Sequence, residues 1–211
     1  MPQAGSLCTI MRQSMRGRPK ATRILPAKQH EALYEVLRAA GWSRRDELAD
    51  QSADVVFVSV WSPDAGLDAR VGWVDDEVTQ HFFGLVWGDD RAQAVAALKT
   101  TGWMVDGEQA IAAFQHARSV EELCRGALAL GVLANGPIDP NVFEVLVGLL
   151  RSSKLDVQFD ALAAIAISSW PAFEAPLREL AADPTTDEEL RDEIAVVLDE
   201  VQDSSWNEEL R

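Results

Sequence analysis

The chain has 211 residues, 47% of them hydrophobic, so it is long enough for one large or two small domains with a core. Its 19 basic and 34 acidic residues leave a formal net charge of −15, which repels nucleic-acid phosphates and anionic membranes and attracts basic partners. Its two cysteines, Cys8 and Cys124, form no disulfide framework, and no apolar run reaches the length of a membrane span. We therefore expect a soluble, cytoplasmic protein that binds neither nucleic acid nor membrane.

Residues 1–28 differ in composition from the rest of the chain. They carry six basic residues and no acidic one, together with three prolines and two glycines. This composition predicts a disordered basic arm. An organellar transit peptide has a similar start, and Met11 and Met15 leave open that translation begins inside this segment.

Residues 30–106 are predicted to form a small α+β domain. Two amphipathic helices, Glu31–Ala40 and Arg91–Thr101, each end at a Gly-Trp pair, as expected of a left-handed glycine cap. Between them lie β-branched and aromatic runs bounded by turn residues. These runs predict a three-stranded antiparallel sheet, with strands at Val55–Trp61, Arg70–Val74 and Val78–Trp87.

From residue 108 onward the periodicity predicts helices only. We expect a helical domain over 108–203 and an acidic tail over 204–211, with Thr186 as a candidate cap of the last helix. The predicted helices are Glu108–His116, Val120–Asn135, Pro140–Ser152, Val157–Ser169, Ala175–Ala182 and Asp187–Val201.

A short apolar segment recurs three times within these helices. Leu123–Ala129 aligns with Val157–Ala163 and then with Leu190–Val196, at spacings of 34 and 33 residues. Such a period indicates stacked helix pairs, since one pair cannot bury its apolar face alone. The run Asp156–Ile165 resembles the second helix of a HEAT repeat, and the resemblance covers about residues 108–201. Gly131 and the loop Asp183–Asp187 depart from the family pattern. The resemblance implies an armadillo-like scaffold that binds proteins.

Signatures of catalysis and metal binding are absent from the sequence. It contains no GxxxxGK[ST], GxGxxG, GxSxG or HExxH motif, and its three histidines have no ligand spacing. His81, close to the acids Asp75–Glu77, is the strongest candidate for a chemically active residue. A partly buried histidine whose hydrogen bonds are satisfied by the backbone or a carboxylate explains it as well. We therefore predict no catalytic residue, no metal and no cofactor.

Two kinds of residue are candidates for partner binding. Tryptophan is enriched at interfaces, and Trp61 and Trp73 flank a predicted loop. Residues 174–211 contain 13 acidic residues against three arginines, which suits a basic partner, although a solvated face explains such a run as well. Its candidates are Glu188, Glu189, Asp192 and Glu193.

These features favour a non-catalytic protein-binding module. A HEAT-like scaffold or adaptor and an immunity protein that neutralises a basic toxin both fit. The alternative is an enzyme or small-molecule binder with a pocket between the sheet and the repeats, which would use Trp61, Trp73 and His81.

Overall fold

A computed structural model describes residues 22–27, 30–45, 57–64, 66–76, 81–134, 137–168 and 170–202. These residues belong to two compact units, and the boundary lies between Asp106 and Gly107. The predicted tail, 204–211, and most of the predicted arm lie outside the described residues.

The first unit is an antiparallel sheet with two helices. Within its described residues the sheet has six strands: β1 Thr22–Pro26, β2 Trp42–Arg44, β3 Phe57–Pro63, β4 Arg70–Asp76, β5 His81–Trp87 and β6 Met104–Val105. Their order in the sheet is β2-β3-β4-β5-β1-β6, and every pairing is antiparallel. The helices are α1 His30–Ala39 and α2 Arg91–Thr100.

The prediction of a three-stranded sheet is wrong, although the α+β class holds. The three predicted strands correspond to β3, β4 and β5, and the structure adds β1, β2 and β6. Strand β1 lies at 22–26, so the prediction of a disordered arm is wrong for these residues. Strands β2 and β6 have three and two residues, which is too short for alternation of apolar and polar residues to reveal a strand. Pairing with β3 and β1 makes them strands.

The predicted glycine caps are confirmed. Gly41 and Gly102 have φ values of 76° and 70°, the left-handed conformation that ends a helix with little strain at glycine. The tryptophan after each glycine belongs to the core region: Trp42 is buried within it, and Trp103 packs against it. Helices α1 and α2 contribute Leu37 and Leu98 to the same core, which covers one face of the sheet.

The second unit is helical. Helices in contact are α3 with α4, α5 with α6, and α7 with α8, and α6 also contacts both α4 and α8. The three copies of the recurring segment lie on α4, α6 and α8, the second member of each pair. The helices are α3 Gly107–Gln115, α4 Val120–Leu133, α5 Pro140–Leu150, α6 Leu155–Ser168, α7 Glu174–Ala182 and α8 Glu188–Gln202.

Acidic and hydroxyl side chains begin three of these helices. Ser119 Oγ accepts a hydrogen bond from the Glu122 amide of α4 (3.1 Å), and Asp139 Oδ1 accepts one from the Asn141 amide of α5 (2.9 Å). Asp187 Oδ1 accepts one from the Glu189 amide and thereby caps α8 (2.9 Å). The prediction that Thr186 caps α8 is therefore wrong. Its hydroxyl donates instead to the Leu180 carbonyl at the end of α7 (2.6 Å).

Gly131 brings the backbones of α4 and α6 close together. A Cβ at this position would lie 2.5 Å from the Ala164 carbonyl oxygen and 2.7 Å from its Cα. Any side chain at residue 131 would therefore force the two helices apart. The glycine that departs from the HEAT pattern is thus the residue that permits this helix contact.

Candidate functional site

Trp61 and Trp73 are core residues. Both side chains are 0% exposed, so the prediction that they face a partner is wrong for this conformation. Trp61 Nε1 donates to Ser59 Oγ (3.0 Å), and that hydroxyl donates to Tyr34 Oη (3.0 Å). Trp73 lies over Gly84, where an added Cβ would come within 2.8 Å of the indole ring. The polar group of Trp61 is satisfied inside the unit, as buried indoles require.

His81 is described only as the first residue of β5. Its backbone pairs with Asp76 of β4, so one of the acids predicted to lie near it is its cross-strand neighbour. The predicted turn at Asp75–Glu77 is wrong for Asp75 and Asp76, which belong to β4. The side chains of His81 and Asp76 lie outside what the structure describes, so the role of His81 stays a prediction.

Helix α8 has one buried face and one exposed acidic face. The buried residues recur every three or four positions, as expected where a helix packs on one side. They are Leu190, Ile194, Val197 and Val201. The exposed residues lie on the opposite side, which we name the outer face. They are Glu188, Glu189, Asp192, Ala195, Val196 and Asp199.

The predicted candidate Glu193 does not belong to the outer face. Its side chain is half-buried, and Oε2 is a buried atom that has no hydrogen-bond partner among the described residues. Glu193 thus lies at the margin between the buried and exposed faces, and of the predicted acids only Glu188, Glu189 and Asp192 are fully available to a partner.

Three acids on α4 and α7 are engaged in ion pairs. Glu121 pairs with Arg125 within α4 (2.7 Å), and Glu174 pairs with Arg178 within α7 (2.9 Å). Glu179 of α7 pairs with Arg151 (3.3 Å). Such exposed pairs add little stability, but they cancel the negative charge at these positions.

The carboxylates of the outer face lack such partners in the described part of the chain. Arg191, the arginine of α8, donates instead to the carbonyl oxygens of Thr186 (2.9 Å) and Asp183 (3.4 Å). Its guanidinium therefore holds the α7–α8 loop. The carboxylates of Glu188, Glu189, Asp192 and Asp199 form no ion pair with any residue that the structure describes.

Cys124 is protected from reaction by its surroundings. Burial, followed by a hydrogen bond to Asp160 and the negative charges of Asp160 and Asp156, raises the pKa of its thiol to about 12. The reactive form of cysteine is the thiolate, which is scarce at neutral pH when the pKa is so high. The hydrogen bond between Cys124 and Asp160 links α4 to α6.

The outer face includes residues that the sequence analysis did not single out. Ala195, Val196 and Asp199 lie beside the predicted acids, and Val196 is 42% exposed. The spacing of the buried residues of α8 could have revealed them, because positions 192, 195 and 199 fall opposite that apolar stripe. The predicted list followed the acidic residues and overlooked the apolar ones between them.

Neither a metal site nor a membrane-spanning helix occurs among the described residues. Within those ranges, no group of three or more His, Cys, Asp or Glu side chains is placed to hold a metal ion. None of the helices described by the structure has the length and hydropathy needed to cross a membrane. Comparisons with protein-family models, curated proteins and solved structures find no match to this chain.

Proposed function

We propose that this protein is a non-catalytic, cytoplasmic protein-binding module that engages a basic protein through the outer face of α8. An immunity protein that neutralises a basic toxin and an adaptor in a larger assembly both fit this proposal. One observation carries it. The outer face gathers four exposed carboxylates on one side of a single helix, and none of them has an ion-pair partner among the described residues.

We further propose that the helical unit is HEAT-like. The order of helix contacts supports this assignment, since each second helix packs on the first helix of its own pair and α6 lies between α4 and α8. The recurring segment occupies corresponding parts of α4, α6 and α8. Stacked arrays of this kind bind other proteins on extended surfaces formed by successive repeats, and their terminal repeats carry a polar outer face.

Glu188 and Glu189 lie in the first turn of α8, where the helix dipole favours a negative charge, but two other features of the outer face lower the stability of the helix. Glu188 and Asp192 are spaced i, i+4, and like charges at this spacing destabilise a helix by about 0.2–0.5 kcal/mol. Asp199 lies in the last turn, where the helix dipole disfavours a negative charge. A basic partner would relieve both effects on binding. The positions of Asp192 and Asp199 are therefore better explained by binding than by the stability of the free helix.

Electrostatic attraction would act mainly on the rate of association. A surface of one charge sign speeds the encounter with an oppositely charged protein by about 10- to 1,000-fold at low salt. Ions screen this effect at higher ionic strength. We therefore expect binding that weakens as salt is added.

The chain offers a matched control for this proposal. The test variant carries Glu189→Gln, Asp192→Asn and Asp199→Asn. The control carries Glu108→Gln, Glu144→Gln and Asp156→Asn, which remove equal charge from exposed sites on α3, α5 and α6.

Wild-type protein and both variants would be used to capture proteins from a lysate of the source organism, and the captured partner would be purified. We expect a basic protein whose association rate with the test variant falls at least tenfold at low salt, while the control variant binds like wild type. Equal loss in both variants, or capture of no basic protein by wild type, would overturn the proposal.

A further inference from the structure

The sheet of the first unit is buried on both of its faces. Successive side chains of a strand point to opposite faces, so Val60 and Leu85 lie on the side opposite Trp61 and the core. Gly72 pairs with both residues, and the three form one row across β3, β4 and β5. We name this side the second face. Val60 is 0% exposed, Leu85 is 1% exposed, and Phe83, two residues before Leu85, is 4% exposed. Another part of the chain must therefore cover the second face.

The helices that the structure describes in this unit pack on the other face. Leu37 of α1 and Leu98 of α2 belong to the core. Three segments of more than two residues adjoin the strands and lie outside the described ranges: 1–21, 46–56 and 77–80. The last of these is the four-residue connection between β4 and β5, and the second contains four acidic residues, which burial disfavours. The segment that precedes β1 is the remaining candidate.

Residues 7–16 have the sequence of a short amphipathic helix. Ser6 is a preferred N-cap residue, and Gly17 suits the end of a helix. Composition predicted disorder for this segment because composition ignores spacing. Arg12 and Arg16 fall on one side of the helix, and the small residue Ser14 shares the other side with the apolar residues. These recur at i, i+3, i+4 and i+8, with a thiol at the edge of the stripe. They are Leu7, Ile10, Met11 and Met15, and the thiol is that of Cys8.

The dimensions of this stripe and of the second face agree. From Leu7 to Met15 the stripe is about 12 Å long, at 1.5 Å per residue. The row from Val60 to Leu85 crosses two strand spacings, which is about 10 Å. The chain between residue 16 and Thr22, where β1 begins, can extend to about 20 Å, which allows the helix to turn back over the sheet.

We infer that residues 7–16 form an amphipathic helix that docks its apolar side on the second face and keeps Arg12 and Arg16 in water. A segment tethered beside its docking surface has an effective concentration in the millimolar range, which favours it over a separate protein. This docking is independent of the proposed binding of a basic protein by α8.

The thiol of Cys8 reports on the docking. Cys124, whose pKa is about 12, reacts little at neutral pH, so a thiol reagent labels Cys8 selectively. The full-length proteins compared would be wild type, Leu7→Gln with Met11→Gln, the control Arg12→Gln with Arg16→Gln, and Phe83→Leu, which trims the second face but keeps it apolar. Each labelling rate would be divided by that of a synthetic peptide of the same protein's residues 1–21, which removes any effect of the substitutions on the thiol itself.

We expect wild type and the control to label about tenfold more slowly than their peptides, because labelling requires the docked helix to open. This protection should persist in high salt, since ions do not screen apolar contacts. Leu7→Gln with Met11→Gln should label at the rate of its peptide, and Phe83→Leu should label at an intermediate rate.

Three results would overturn the inference. Labelling of wild type at the rate of its peptide would mean that a different part of the chain covers the second face. Protection that disappears in high salt would mean that the arginines, through an acidic surface, hold the segment. Protection that is unchanged in Phe83→Leu would mean that the segment docks away from the second face.

Discussion

Substitution of Gly131 by alanine tests the close contact between α4 and α6. The new Cβ would lie 2.5 Å from the Ala164 oxygen and 2.9 Å from its carbonyl carbon. These neighbours are backbone atoms and cannot rotate away, so the helices must separate by about 1 Å to restore ordinary van der Waals distances. Overpacking of a well-packed core costs about 1–3 kcal/mol, and the rigid neighbours favour the upper end.

The higher helix propensity of alanine offsets part of this cost. Alanine is about 1 kcal/mol more favourable than glycine inside a helix. The free energy of unfolding should therefore fall by about 2 kcal/mol in Gly131→Ala. Gly148→Ala is the matched control: a Cβ added to this helical glycine of α5 would meet no atom within 4 Å, so only the propensity gain of about 1 kcal/mol applies.

Urea denaturation followed by circular dichroism at the helix band would measure both changes in the full chain. Hydrogen exchange of the amides in α4 and α6 would locate the loss of stability. We expect the free energy of unfolding to fall in Gly131→Ala and to rise in Gly148→Ala. If Gly131→Ala stabilised the protein as much as Gly148→Ala, the close approach of α4 to Ala164 would be refuted.

Three further predictions concern other parts of the fold. Gly84→Ala should lower the free energy of unfolding by about 1–3 kcal/mol in urea denaturation, because the added Cβ would lie 2.8 Å from the buried Trp73 ring. Gly107→Ala is the control: its added Cβ would meet no atom within 4 Å, so the free energy of unfolding should not fall. The raised pKa of Cys124, about 12 against an ordinary 9.0, favours the neutral thiol in the folded state. Its contribution to stability is complete below pH 9.0 and is lost as the pH rises through about 12, so wild type should lose more stability over this range than Cys124→Ser. Equal losses in the two proteins would contradict the burial of this thiol. Asp199→Asn should raise the free energy of unfolding by about 0.3–1 kcal/mol at low salt, since it removes a negative charge from the C-terminal turn of α8, and this gain should disappear in high salt.

Local sequence patterns were sufficient to predict the helices of the second unit. Buried residues recur at helical spacing in α8, and capping residues such as Ser119 and Asp139 precede α4 and α5, so the predicted helices lie close to the observed ones. These signals depend on neighbours within a few residues. The glycine caps at Gly41 and Gly102 were predictable for the same reason.

Edge strands and side-chain exposure depended on distant parts of the chain. Strands β2 and β6 exist because residues far along the sequence offer them hydrogen bonds, and their own two or three residues carry no pattern. Trp61 follows the same logic. The enrichment of tryptophan at interfaces suggested that Trp61 faces a partner. Its burial, however, depends on Ser59, Tyr34 and the helix that covers them.

By itself, the sequence determined the helical repeat, the excess of negative charge and the acids of the last helix, because each is a property of composition or short-range spacing. Only the tertiary structure decided which acids have partners and which apolar residues stay exposed. Val196 and Ile194 are both branched aliphatic residues of α8, yet Ile194 is fully buried and Val196 is 42% exposed. The packing of α8 on α6 and α7 makes that difference, since it removes only one side of the helix from water.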